Sequence, residues 1–293
     1  MSLPNRTKGV FCIIGSALCF AGMSAFVRLA GELPVFEKAF FRNFVAAVIV
    51  LVLVKSEHIP IRIAKGSRRS VLLRCVFGTA ALLANFFAID RLSLADANML
   101  NKLSPFFAIV FSMFVLGEKV RPVQAIAVAG AFAGSLLIIK PTGESMTLLP
   151  AIVGFFGGMG AGAAYTYLRK ATGAGVNSRV VVLCFSWFSC LVTIPFIAAD
   201  FVMPTARQLL ILILCGSCGA GGQFFITAAY SCAPAREISV FDYTQVIFSA
   251  VMGYFLFDQI PDAGSFLGYA VIIAMAVMNF IYNNRKFQED EYQ

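Results

Sequence analysis

Ten apolar runs alternate with short polar connections along this chain. They fall at 9–30, 35–54, 71–90, 93–116, 121–140, 149–170, 178–199, 207–230, 236–257 and 264–283. A helix needs roughly 20 residues, at about 1.5 Å each, to cross the hydrocarbon of a bilayer. Each run is of that length, so the pattern predicts ten transmembrane helices. The connections carry Gly, Pro or charge: Gly31-Glu32-Leu33-Pro34, Asp90-Arg91-Leu92, Gly117-Glu118-Lys119 and Pro141-Thr142-Gly143. The longest, 55–70, is basic, with Lys55, Arg62, Lys65, Arg68 and Arg69. No stretch leaves room for a soluble domain. The first run follows Arg6 and Lys8, as the core of a signal peptide would. Its length, and the nine similar runs behind it, mark it as a retained span.

Composition agrees with lipid as the solvent. Of 293 residues, 59% are apolar and 13% charged, against about half and about a quarter in soluble domains. The formal charge of +8 would raise the question of nucleic acid in a soluble protein. Here the basic residues lie between apolar runs and read as orienting loop residues, so no nucleic-acid partner is expected. With the N-terminus in the cytoplasm, sixteen Lys and Arg, Arg74 among them, fall on the inner side and five, Arg28 and Lys38 included, on the outer, with Arg42 and Lys102 left inside helices. That bias predicts cytoplasmic termini in an inner membrane, and one missed span would invert every later loop. The eight cysteines all lie in or beside apolar runs. Cys215 and Cys218 form a CxxC with no second ligand pair, so packing rather than metal or redox chemistry is expected. Nothing in the pattern calls for a cofactor.

A shift of 140 residues lays Ala21-Gly22 on Ala161-Gly162, Ala88 on Ala228, Ala95 on Ala235, Leu116 on Leu256 and Glu118 on Asp258. Five helices is an odd number, so the second half must be inverted relative to the first. The expected fold is all-α: two inverted five-helix repeats at 8–140 and 149–284, then a short cytoplasmic tail at 285–293. Inverted repeats place a solute site near the bilayer midplane, at the repeat interface.

The stretch from Phe86 through Asp90-Arg-Leu-Ser-Leu-Ala-Asp-Ala-Asn-Met-Leu-Asn-Lys-Leu-Ser-Pro105 to Leu116-Gly117-Glu118 resembles the repeat of the drug/metabolite transporter superfamily, EamA type. That repeat has an alanine-rich helix start, a mid-helix Pro and a closing Gly-Glu. Glu37-Lys-Ala-Phe-Phe-Arg42 resembles its second helix. The likeness covers the chain twice. It is weaker in the second half, where Gln245 stands at the usual Pro and Phe257-Asp258 at the Gly-Glu. The resemblance implies ten helices, a central cavity and movement of small organic solutes, and it favours an inward-facing Arg42. The expected function is secondary transport of an amino acid or similar metabolite by alternating access, with export as the direction. Uptake or exchange of another metabolite by the same fold is the alternative. The bilayer and a small-molecule substrate are the expected partners, with a proton or counter-solute as coupling partner.

A charge inside the bilayer costs at least about 2.5–3.5 kcal/mol on insertion scales, which makes it a functional hypothesis by default. Lys102, Asp242 and Arg42 are such charges, and the 140-residue shift lays Lys102 on Asp242. Helical spacing sets Asn98, Asn101, Lys102, Pro105 and Ser112 on one stripe of the fourth span. Ser239, Asp242, Gln245, Ser249 and Gly253 share another on the ninth. Both stripes should face the interior, as substrate or coupling sites or as a structural pin. Pro105 removes a hydrogen bond to the Asn101 carbonyl and is a candidate hinge. Asn85, Gln223 and Tyr243 are further deep polar groups, each alone expected to hold helices together. Gly154, Gly158 and Gly162 form a repeated GxxxG for close packing. Trp187, Tyr165 and Tyr254 read chiefly as filler or interface residues.

Two rival classes lack their chemistry. The single His58 sits in the basic loop, and no Ser-His pair or HExxH occurs in the apolar runs, so an intramembrane enzyme has no base or metal. A channel needs a ring of like charges or carbonyls, which two opposite charges do not supply. The charge bias generates the first prediction. Cysteines introduced at 55–70 should react with an impermeant thiol reagent only from the cytoplasmic side; labelling from outside intact cells would overturn the orientation.

Overall fold

A computed structural model describes residues 5–140, 145–232 and 238–291. The Pro141-Thr142-Gly143 connection, Arg236 and the last two residues lie outside these. The described residues form eleven α-helices: α1 (Asn5–Leu29), α2 (Val35–Ser56), α3 (Arg68–Arg91), α4 (Leu94–Asn101), α5 (Ser104–Val115), α6 (Pro122–Ile139), α7 (Ser145–Gly173), α8 (Ser178–Ala199), α9 (Ala206–Cys232), α10 (Thr244–Phe257) and α11 (Ala263–Glu291). Short 3₁₀ segments precede α3, at Lys65–Ser67, and α10, at Ser239–Tyr243. Among the described residues, ten segments are long and apolar enough to cross a membrane. They coincide with the ten runs read from the sequence, with ends moved by a few residues. The tenth helix continues to Glu291, into the expected tail.

The fourth span is not one helix. Lys102 caps α4, and α5 starts afresh at Ser104. Pro105 therefore sits in the first turn of a new helix, where a missing N–H costs nothing, rather than in the middle of a continuous one. The Asn101 carbonyl, whose i+4 donor would be Pro105, faces the interruption.

Small residues set the closest approaches. The bundle pairs α1 with α9 and α3 with α7 most extensively, then α6 with α11 and α2 with α8. α7 is wedged between two neighbours by glycines on two faces. A methyl group at Gly157 would lie 3.1 Å from Ala84 Cβ, and one at Gly160 3.4 Å from Ala81 Cβ, both on α3. On the other face, a Cβ at Gly158 would stand 2.3 Å from the Leu100 carbonyl oxygen, and one at Gly162 2.6 Å from Phe107 Cβ. The GxxxG series thus brings α7 against the interruption between α4 and α5. Phe86, Ile89, Leu94, Met99, Leu100 and Leu103 fill the adjoining core. Outward faces carry Phe114 and Phe255, 72% and 77% exposed, with Trp187 and Tyr254 also on the outside.

Polar contacts pin the two ends. At the end holding the α1–α2 connection, Glu37 Oε1 accepts from the Val202 N–H at 2.7 Å, and Lys38 pairs with Asp90 at 2.7 Å. Arg28 donates to the Ile89 and Leu92 carbonyls, Gln208 donates to the Ala30 carbonyl, and Lys140 pairs with Asp262. At the other end Arg169 meets Glu118 and Arg179 meets Glu57. Arg28 and Lys38, counted with the outer loops from the sequence, belong to helices, and Lys38 is 1% exposed.

Gly158 tests this packing. Gly158→Ala sets a methyl against a backbone oxygen that cannot swing away, and should lower stability by about 1–3 kcal/mol. Gly173→Ala, which meets no atom within 4 Å, is the control. Equal melting temperatures for the two variants would mean that α7 does not approach Leu100 this closely.

Candidate functional site

The interruption of the fourth span puts Lys102 where it can reach across the bundle. Its Nζ lies 2.5 Å from Asp242 Oδ2, and the partners are 140 residues apart in sequence. Asp242 lies in the 3₁₀ segment ahead of α10, so both members of the pair sit where their span departs from α-helix. Lys102 is 9% exposed. The second oxygen of the carboxylate, Asp242 Oδ1, is buried without a hydrogen-bond partner. The pair therefore keeps one strong acceptor free to take a proton or a cationic solute group.

Neutral hydrogen bonds hold this pair in place. The Tyr243 hydroxyl donates to the Lys102 carbonyl at 3.2 Å. Asn98 Oδ1 accepts from Ser24 Oγ of α1 at 3.0 Å and from Gln245 Nε2 of α10 at 2.8 Å, while its amide donates to the Leu94 carbonyl. Gln259 closes the same region by accepting the Leu94 N–H at 2.9 Å. Three spans thus meet at Asn98, and the two polar stripes read from the sequence face one another. Ser112, Gln245, Ser249 and Gly253 are buried with them, whereas Asn101 is half-buried and Pro105 exposed.

Pro105 is exposed to a cavity of about 900 Å³. Its walls are α5, the Glu118–Arg121 connection, α6, Tyr165, Thr166 and Arg169 of α7, and Asn283 of α11. This is within the range that encloses a small organic solute. Tyr165 is 48% exposed and lines this cavity with Pro105. Facing a cavity, it differs in place from Trp187 and Tyr254 on the outside of the bundle.

Arg42 turns inward. It is 5% exposed, donates to Asn43 Oδ1 at 2.7 Å and lies against Gly219 of α9. Asn43 is fixed in turn by Ser189 and the Ala39 carbonyl. Asn85 faces the α3–α7 contact with Oδ1 unpartnered. Gln223 stays half-buried on α9, apart from the Lys102–Asp242 pair. Sequence reasoning missed Arg74, which was counted with the cytoplasmic loop. It is 7% exposed, with its guanidinium 4.5 Å over the Phe185 ring. Its place inside the 71–90 run, three residues in, was the available signal. Among the described residues no three His, Cys, Asp or Glu converge as a metal site would require. Cys215 points its thiol at the Met23 carbonyl as a packed side chain.

Comparison with known proteins places this architecture. Residues 7–140 match the EamA-like transporter family. The chain is 31% identical to the pseudopaline exporter CntI of Pseudomonas aeruginosa, over 94% of this chain and 97% of that protein. It is 23% identical to the S-adenosylmethionine uptake transporter of Rickettsia prowazekii, over 90% and 89% of the two. A solved crystal structure superposes with a TM-score of 0.64 at 15% identity, covering 93% of this chain and 97% of that one, a likeness of fold. The pair geometry yields a prediction of its own: Asn98→Leu should loosen the meeting of α1, α4 and α10 and lower stability by about 1–3 kcal/mol, because Gln245 and Ser24 lose a buried partner; an unchanged melting temperature would mean these bonds do not hold the three spans. With ten apolar spans, an interior charge pair and full-length similarity to named transporters, the chain belongs to the EamA-like transporter family and is a multi-pass membrane transporter, not an enzyme.

Proposed function

We propose that the protein exports an amino acid or similar small metabolite by alternating access, with the Lys102–Asp242 pair as the point of substrate contact or coupling. The observation that carries this is the pair itself: opposite charges at positions 140 residues apart, both at interruptions of their spans. Interrupted helices at midplane expose backbone groups and allow two half-helices to tilt separately. Removing charge from water is tolerated in a transporter because solute and solvent visit the site.

Two inverted repeats, 8–140 and 149–284, are part of the proposal. Exchanging the first five spans for the second five maps the α1–α9 contact onto α7–α3, and maps α2–α8 and α6–α11 each onto itself. That invariance supports the repeat assignment, as the charge bias supports cytoplasmic termini. Export is preferred because a relative 31% identical is named an exporter; the uptake transporter, 23% identical, makes import the competing direction.

Two mechanisms use the same atoms. In the first, the pair closes when the site is empty, and a zwitterionic solute parts it, carboxylate toward Lys102 and ammonium toward the free oxygen of Asp242. In the second, Asp242 takes up a proton as the coupling ion, releasing Lys102. A structural pin behaves differently. Removing one charge would then destabilise by about 3–5 kcal/mol, and removing both would restore stability.

Lys102→Met, Asp242→Asn and the double variant separate these, assayed by melting temperature and by proteoliposome exchange of a labelled amino-acid mixture. The expected outcome is at least tenfold lower exchange in all three, about 1.4 kcal/mol or more in barrier, with melting within a few degrees of wild type. Full exchange in the double variant would leave only the pin. Exchange in Asp242→Asn that has lost its pH dependence would select the proton mechanism.

A further inference from the structure

Among the described residues, four basic side chains are buried in the bundle: Lys38, Arg42, Arg74 and Lys102, 1%, 5%, 7% and 9% exposed. Two have a carboxylate, Lys38 with Asp90 and Lys102 with Asp242. Among the described residues, Arg42 and Arg74 have none within ion-pair distance. The Nε of each is buried and unpartnered. Arg42 spends one donor on the neutral Asn43. Arg74 offers its flat face to Phe185, which leaves the in-plane N–H groups unused, because a cation–π contact engages the face and hydrogen bonds the edge.

Both guanidiniums stand along one stretch of α8: Arg74 lies over Phe185, and Arg42 bonds Asn43, which bonds Ser189 one turn further along the same helix. Two like charges thus lie along one stretch of α8, and no carboxylate among the described residues comes within ion-pair distance of either. Glycines clear the space they occupy. A Cβ at Gly78 would stand 2.0 Å from Arg74 Nη1 and 3.1 Å from the Phe185 ring. One at Gly219 would stand 3.0 Å from Arg42 Nε. Each guanidinium therefore packs directly against a glycine, and at Gly78 a side chain would displace it.

We propose that Arg42 and Arg74 together bind an oxyanion of the transported solute, a carboxylate or phosphate, in a subsite separate from the Lys102–Asp242 pair. This rests on the transport function proposed above. A planar guanidinium matches two oxygens at once, and two of them suit a group bearing full negative charge. Buried without such a partner, they would carry an uncompensated charge in a medium that does not solvate it. A solute with an anionic group at one end and an ammonium at the other would span from the arginines to Asp242. The preferred substrates are therefore anionic or zwitterionic, with at least one carboxylate or phosphate.

The test uses purified full-length protein in neutral detergent, with melting temperature followed against succinate, inorganic phosphate and, at matched ionic strength, succinamide. Succinate or phosphate should raise the melting temperature saturably, and succinamide should not. Arg42→Gln and Arg74→Gln should each raise the half-saturating concentration about tenfold or more, as expected for one lost hydrogen bond to a charged group. Gly78→Ala should do the same with every charge retained, since it displaces the Arg74 guanidinium; it also serves if either arginine variant fails to fold. Equal responses to succinate, phosphate and succinamide would overturn the subsite. So would a shift produced by vesicles of phosphatidylglycerol but by neither soluble anion, which would make the occupant a lipid. Amino-acid exchange absent while succinate still stabilises would remove the transport proposal and leave the subsite standing. Exchange undiminished in Arg42→Gln and Arg74→Gln would remove the subsite alone.

Discussion

Hydrocarbon forms no hydrogen bonds, so every polar group carried into this bundle must find its partner within the protein or in what the protein carries. That constraint arranges the molecule. It turns the polar stripes of the fourth and ninth spans toward each other, makes Asn98 the meeting point of three spans, and leaves Phe114 and Phe255 facing outward. It also gives weight to the exceptions. Where a buried charge has no partner, the most economical explanation is a partner that comes and goes.

The interior charges divide by this test. Lys38 with Asp90, together with Arg28 on helix-end carbonyls, joins spans near one end of the bundle. Lys102 with Asp242 joins the two interrupted spans and still leaves one carboxylate oxygen unpartnered. Arg42 and Arg74 have no carboxylate partner among the described residues. The progression runs from a contact that holds helices together to one that can open, and then to a site that lacks its counter-charge. Close helix packing makes the arrangement possible. The glycines of α7 bring it against the end of α4, so the interruption at Lys102 is braced by a backbone contact at Leu100.

Much of the fold was legible in the sequence because the bilayer imposes a length on each element. A run of about 20 apolar residues has few alternatives to a spanning helix, and the observed spans match those runs closely. The Lys102–Asp242 contact was legible in part: two opposite charges inside apolar runs had to face inward, and the tertiary structure showed that they meet each other. The GxxxG series on α7 was readable in kind, although not which neighbour it would meet.

The rest needed the tertiary structure. Pro105 signalled an irregular fourth span, but whether the helix kinks or stops depends on what Lys102 and the Asn101 carbonyl find nearby. Arg74 lay in an apolar run close behind Arg68 and Arg69, and from sequence it read as one more loop cation. Helical periodicity gives the face of a residue and only roughly its depth, and a long side chain near a helix end can lie either in water or in the core. Its burial follows from Gly78 on its own helix and Phe185 on another, a conjunction no local pattern encodes. Sequence by itself determined the solvent, the number of spans and the charges that had to face inward, because those follow from transfer energies summed along one chain. Tertiary structure alone decided which of those charges are paired and which are not, because pairing depends on distances between helices that are far apart in sequence.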